Sequence, residues 1–278
     1  MQRSCTVVVT LILVLATRAL AQQPAPVIVK FPDKNLEAAL RDVLHDPKGD
    51  LTEARLANDV FILEAKGKKI ADLTGLDKCK NLALINLAGN DIADLGPLKD
   101  LQNLQSLDLS GNKVADLKPL KGLTRLSYLE LSSNQIASLE GLSELKNLSS
   151  LYLSGNKVSD LGPLSGLAKL TALALGKNQV KVLAPLANVT KLWELDLKDN
   201  QVTDLAPLAK QTELSLLMLE RNQIKDLTSL VSAAKADAAG KRRFAPYLRL
   251  YLDGNPLSAQ AKGEQSKALE AAGVRLLK

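Results

Sequence analysis

The stretch from Leu104 to Leu123, LQSLDLSGNKVADLKPLKGL, decides how this chain folds. Its apolar residues stand at Leu104, Leu107 and Leu109 and then, past Asn112, at Val114, Leu117, Leu120 and Leu123. The spacing of two in Leu107-x-Leu109 is the period of a strand, whose alternate side chains share a face. The later spacing of three fits a 3₁₀-like return, in which side chains at i and i+3 eclipse. One turn of chain is thus one short strand and one tight return. The frame recurs, because Asn90, Asn112, Asn134, Asn156, Asn178, Asn200 and Asn222 lie 22 residues apart and Asn255 follows after 33. Such a fixed interval marks a stack of similar coils and not a single globular core.

The asparagine has a mechanical reason for its place. Where the chain leaves the strand its backbone groups lose ladder partners, and a buried amide with two donors and a carbonyl can satisfy them within and between coils. A net hydrogen bond is worth only about 0.5–1.5 kcal/mol, but a buried group left unpaired costs roughly 1–3 kcal/mol. A coil of 22 residues cannot bury its aliphatic positions by itself, so it depends on its neighbours, and the two ends of the stack need lids.

The frame places coil starts at Val60, Leu82, Leu104, Leu126, Leu148, Leu170, Leu192, Leu214 and Tyr247, giving nine coils and an α/β solenoid with one parallel sheet. The first coil has Lys68 at the asparagine position, as suits an end coil. The coil from Leu214 is longer by eleven residues, Ser232 to Arg242 or thereabouts, which are expected to extend its outer segment into a true helix within an insertion near 231–246. Upstream, Asp33 is an expected N-cap for a helix that places Leu36, Leu40, Val43 and Leu44 on one face, and a second short helix is expected from Thr52 to Asn58. Downstream, Ser266 to Ala272 reads as a helix stopped by Gly273, with Val274 to Leu276 as a last short strand. The expected division is a leader at 1–21, a linker and helical cap at 22–59, repeats at 60–257 and a C-terminal cap at 258–278.

The leader is read from Arg3, the apolar run from Thr6 to Ala16, and the small residues of Ala19-Leu20-Ala21. That run is shorter than the ~20 residues a membrane span needs, so it predicts export with cleavage after Ala21 to a secreted or cell-envelope location, leaving no integral membrane segment. Cys79 takes a position filled elsewhere by Leu101, Leu123, Leu145 and Leu167, and reads as a small buried hydrophobe. Loss of the leader with Arg3 and Arg18 leaves 34 basic against 30 acidic residues, which is no nucleic-acid signature. The one basic run, Lys241-Arg242-Arg243, reads as a solvated loop or helix end, with a docking site for an acidic surface as the alternative.

Catalysis is not expected. The single histidine, His45, falls in the N-terminal cap, away from Cys79, and the chain has no GxGxxG or GxxxxGK[ST] motif and no clustered His/Cys set, so neither cofactor nor metal is implied. Asp72, Asp94, Asp116, Asp160, Asp204 and Asp226 share one frame position. A row of carboxylates invites calcium, but aspartate just before a return more often accepts backbone N–H groups there. Pro97, Pro119, Pro163, Pro185 and Pro207 preset the return without removing a needed donor.

Freedom lies on the strand positions that point away from the leucines. There the chain places Asp108, Tyr128, Glu130, Tyr152, Glu194, Asp196, Met218, Arg249 and Tyr251, with Trp193 at the neighbouring position. Aromatic residues among charges are what protein interfaces favour at their energetic centres. Nine strands at ~4.8 Å make a row of roughly 38 Å, the scale of a protein surface and not of a metabolite pocket. These residues are the candidate binding site for a protein, one with a basic patch given the carboxylates. A glycan stacked on the rings is the alternative.

The 22-residue period, the N-x-[IV]-x-D-L-x-P-L segment and the Phe31-Pro32-Asp33 cap resemble the internalin-like leucine-rich-repeat proteins of bacteria over nearly all of the chain past the leader. The short repeat is also similar to the phosphatase-regulatory leucine-rich-repeat subfamily of eukaryotic cells, but the leader favours the first. The resemblance implies a right-handed, curved solenoid that binds proteins through its concave sheet. The sequence departs from it in having no LPxTG motif, no immunoglobulin-like segment after the repeats and no C-terminal apolar span, so wall anchoring is not carried over.

Overall fold

The computed structural model describes residues 25–241 and 243–277, so the expected leader at 1–21 lies outside the described residues. Ten three-residue strands form one parallel sheet in sequence order: β1 (Ile62–Glu64), β2 (Leu84–Asn86), β3 (Ser106–Asp108), β4 (Tyr128–Glu130), β5 (Ser150–Tyr152), β6 (Ala172–Ala174), β7 (Glu194–Asp196), β8 (Leu216–Met218), β9 (Arg249–Tyr251) and β10 (Arg275–Leu277). From β1 to β8 each strand pairs with the residue 22 positions on, so the sequence period is the sheet register. The first nine strands belong to the nine expected frames, and the tenth is supplied by the C-terminal cap.

Behind the sheet lies one continuous core built almost entirely of leucine, isoleucine and valine. The asparagines are buried and act as expected. Asn134 donates from Nδ2 to the carbonyls of Leu131 in its own coil and Leu109 in the previous one, and its Oδ1 accepts the N–H of Val114 at 2.9 Å. The same three-way tie recurs at Asn90, Asn112, Asn156, Asn178, Asn200 and Asn222. Returns with proline form 3₁₀ turns at 96–98, 118–122, 162–164, 184–188 and 206–210. The aspartate row works as turn caps: Asp94, Asp116, Asp160 and Asp204 each accept the N–H two residues on, at 2.8–2.9 Å. Gly75 and Gly141 stand where other coils have proline and take φ of 96° and 105°; a Cβ on Gly141 would sit 2.4 Å from the Leu117 carbonyl oxygen.

Both ends are closed by helices. In the N-terminal cap α1 (Lys34–Val43) buries Leu36, Ala39 and Leu40, and α2 (Glu53–Asp59) starts at Thr52. Asp33 fastens this cap twice, with Oδ1 accepting Asn35 and Leu36 N–H groups and Oδ2 accepting Ala71 and Asp72 N–H groups of the first coil. Burial works against ionisation of Asp33, but those four donors outweigh it and hold the carboxyl below the usual range. The insertion does form a helix, α3 (Thr228–Ala238), and Asp237 at its end accepts the N–H groups of Arg243, Phe244 and Ala245 as the chain re-enters the stack. A π-helical turn at Ala261–Gln265 leads into α4 (Ser266–Ala271).

One frame assignment is corrected. Tyr247 was the expected inward start of the ninth coil, yet it is 64% exposed and Leu248 is buried in that role. Re-entry after the insertion buries Phe244 and Ala245, which consumes one residue of the frame before β9 resumes it.

Candidate binding face

The side chains on the free face of the sheet stand in two rows set by the strand register. The residues before and after each central leucine point the same way, so neighbours in a row are one strand spacing apart, about 4.8 Å. Asp108, Glu130 and Tyr152 are consecutive in one row, on β3, β4 and β5, and Tyr128 stands in the other row next to Ser106 and Ser150. The Tyr128 and Tyr152 rings meet at a centroid distance of 5.6 Å, tilted by 47°. Burial raises the Tyr128 hydroxyl above its ordinary pKa, helped by the charges of Glu130 and Asp108. Burial likewise pushes the Glu130 carboxyl up; hydrogen bonds from Ser132 oppose this without cancelling it, and Asp108 adds to it.

A second group lies on β7 and β8. Glu194 and Asp196 occupy the two rows of β7, Met218 registers next to Asp196, and Tyr251 of β9 registers next to Met218. Trp193, one residue ahead of β7, is 44% exposed, and its backbone is tied to Thr171 and Ser215. Arg249 stands exposed on β9. The structure therefore gathers Asp108, Tyr128, Glu130 and Tyr152 into one cluster and Trp193, Glu194, Asp196 and Met218 into another, with Arg249 and Tyr251 further along. Between the clusters runs β6, whose outward residues are Ala172 and Ala174.

Spacing alone does not reveal that several of these polar groups also terminate their strands. Asn86, Asp108, Glu130 and Asp196 each accept the N–H two residues on, at 3.2, 2.9, 2.7 and 3.0 Å. The signal was present as an Asn, Asp or Glu at one repeat position just before the chain turns. Asp196 is only 5% exposed, and its second oxygen lies 3.3 Å from Lys198 Nζ. Asp108 and Glu130 are half-buried, each with one carboxylate oxygen committed to its turn. Elsewhere, Cys79 is fully buried and its thiol is pushed up to about 12, chiefly by burial, so it is an unreactive core residue. Among the described residues no group of three or more His, Cys, Asp or Glu is placed to hold a metal ion, and no helix is long and apolar enough to cross a membrane.

Coil frame, asparagine ladder and register together define a leucine-rich-repeat solenoid, an architecture whose stacked strands present an extended surface for binding other proteins. A family model described as "Leucine Rich repeats (2 copies)" matches residues 80–122 and 102–144. The crystal structure of internalin C2 from Listeria monocytogenes is similar at 33% identity and a TM-score of 0.71, over 82% of this chain and 94% of that one. The chain belongs to the internalin-like leucine-rich-repeat proteins of bacteria. Two other structures show the same fold. The functional domain of InlJ from Listeria monocytogenes has 23% identity and a TM-score of 0.62, over 82% of this chain and 51% of that one. A leucine-rich-repeat protein of Leptospira interrogans has 22% identity and a TM-score of 0.57, over 75% and 57%. No curated protein sequence matches.

Proposed function

We propose that this is an exported, non-catalytic protein that binds another protein through the concave, free face of its sheet. The leader is residues 1–21, the N-terminal cap runs to 59, the repeats span 60–257 with the insertion near 231–246, and 258–278 close the stack. Binding residues are Asp108, Tyr128, Glu130, Tyr152, Trp193, Glu194, Asp196, Met218, Arg249 and Tyr251, and the partner carries a basic patch. No nucleic acid, cofactor or metal is required.

One observation carries this reading. In a chain with one tryptophan and four tyrosines, this face varies from coil to coil and holds, on or beside its strands, Trp193 and Tyr128, Tyr152 and Tyr251. The alternative, glycan binding by ring stacking, has less support. Tyr128 and Tyr152 lean on each other at 47° and do not offer two parallel plates to a sugar.

Affinity capture from a secreted and surface proteome, with residues 22–278 as bait, tests the reading. The double variant Tyr152→Ala/Trp193→Ala is expected to unfold like the wild type and to lose capture by about tenfold or more, the loss of two aromatic interface anchors. Equal capture by both baits would move the site elsewhere, and retention on immobilised polysaccharide alone would favour the glycan. Intact mass of the exported protein tests the leader: a mature chain beginning at Gln22 is expected, and one retaining Met1 defeats that assignment.

A further inference from the structure

The two clusters on the sheet face are separated by β6, whose short side chains leave a slot over the partly exposed Ala174, while Ala172 and Gly176 on either side of it are covered. Among the ten strands, β6 alone has alanine at both outward positions, and the next outward position after it is Gly176. Its walls differ in chemistry. On one side Tyr152 registers with Ala174, backed by the Tyr128 ring. On the other, Glu194 registers with Ala172 and Asp196 with Ala174, and Trp193 adjoins Glu194. Two strand spacings, about 10 Å, separate the backbones of β5 and β7, and the side chains that rise from them leave room for one flat group between.

The strand residues up to β7 carry charge of one sign on this face. Outward positions of β1 to β7 hold Glu64, Asp108, Glu130, Glu194 and Asp196 and no lysine or arginine; cations first enter the strands at Arg249. The protein already lays one cation at the slot's edge. Lys198 folds back so that its ammonium lies 3.3 Å from Asp196, close over Gly176, where a Cβ would come 3.0 Å from Asp196 Oδ2 and 3.2 Å from Lys198 Cγ. Glu194 is left with no cation paired to it among the described residues.

We propose that the slot over Ala174, between Tyr152 and Glu194, receives a single arginine side chain presented by a loop of the protein partner. This rests on the protein-binding reading and specifies the contact at its centre. Arginine fits better than lysine because its planar guanidinium can stack on a tyrosine face while its fork pairs with a carboxylate.

Trp193 is the only tryptophan, so its emission reports on this slot without labelling. Titration of the full mature chain with a short oligo-arginine peptide is expected to give a saturable change in that emission, with oligo-lysine weaker and oligo-glutamate without effect. Ala174→Lys, which fills the slot with like charge, is expected to weaken the response about tenfold or more, and the isosteric Glu194→Gln by several-fold. Glu140→Gln, which removes a carboxylate on a return away from this face, is expected to leave it unchanged. Unaltered circular dichroism would certify that each variant is folded. A flat titration overturns the proposal, as does an equal response in Ala174→Lys or an equal loss in Glu140→Gln, the mark of diffuse charge attraction. If the titration is flat while Tyr152→Ala/Trp193→Ala still abolishes partner capture, the slot falls and the protein-binding reading stands.

Discussion

Each strand of this sheet has two faces, and they obey opposite rules. Toward the core, Leu107, Leu129, Leu151, Leu173, Leu195 and Leu217 are the same residue in register from coil to coil. Toward solvent, the residues that follow them are Asp108, Glu130, Tyr152, Ala174, Asp196 and Met218, no two neighbours alike. The contrast has a physical cause. The inward residue meets another coil, so one solution serves every layer and any change must be matched by two neighbours. The outward residue packs into no neighbouring coil, and beyond the turn N–H groups that Asp108, Glu130 and Asp196 accept and the Tyr128–Tyr152 contact, the fold leaves its identity open.

The sharpest way to break that contrast is to remove one rung of the asparagine ladder. Asn134→Ala leaves the buried Val114 N–H without an acceptor and takes one of two amide donors from each of the Leu109 and Leu131 carbonyls, which keep Asn112 and Asn156. A loss of about 2–3 kcal/mol is expected in urea unfolding followed by circular dichroism. The outward pair Tyr152→Ala/Trp193→Ala is expected to lose under ~1 kcal/mol, the scale of cross-strand pairs. Comparable losses in the two would mean that the outward rings are part of the scaffold.

What could be read without coordinates divides along the same line. The register, the asparagine ladder and the aspartate turn caps follow from a period, because a stacked layer repeats its chemistry wherever it repeats its geometry, and the helical lids were legible from their own signals, Asp33 at the start of one and Gly273 after the other. Legibility failed where the period is interrupted. Counting back from Asn255 put Tyr247 inward, but the turn held by Asp237 brings Phe244 and Ala245 into the core first and leaves Leu248 for that place. It also failed where the backbone demands more than the side chain announces. The residue before each asparagine takes a positive φ, which Gly89, Gly111 and Gly155 advertise and Ser133, Lys177, Asp199 and Arg221 do not. On the outward face the candidate residues were legible as positions. Their grouping into two clusters about β6, and the strand-ending role of Asp108, Glu130 and Asp196, required the structure.

A flaw in the inward face offers a gain of stability. Gln211 stands in the row of Leu123, Leu145, Leu167 and Val189, fully buried beside the insertion. Its Nε2 donates to the Leu186 carbonyl at 2.7 Å, but its Oε1 is buried without a hydrogen-bond partner among the described residues. Leu186 keeps a second donor in the Val189 N–H, so it is not orphaned when the amide is removed. Gln211→Leu is therefore expected to raise stability by about 1 kcal/mol, seen as a rise of a few degrees in Tm. A lower Tm would show that the amide is needed to seat the lengthened coil, and the inward rule would then admit an exception.

The smallest effect concerns the outward face, where a charge is held against its preference. Glu130 is pushed above the ordinary glutamate pKa by burial, with Asp108 beside it in the next strand. A carboxyl raised on folding opposes stability when it is ionised. That cost is absent below the ordinary value of 4.5, grows as pH rises from there through the folded-state pKa, and is constant above it. Glu130→Gln keeps an oxygen to accept the Ser132 N–H and removes the charge. The variant should melt slightly above the wild type at pH 7 and together with it near pH 4. Parallel pH profiles for the two proteins would mean that Glu130 ionises as readily in the folded protein as in the unfolded chain. A difference confined to neutral pH would instead mark a carboxylate kept on this face despite its cost to the fold, as a binding surface requires and a scaffold does not.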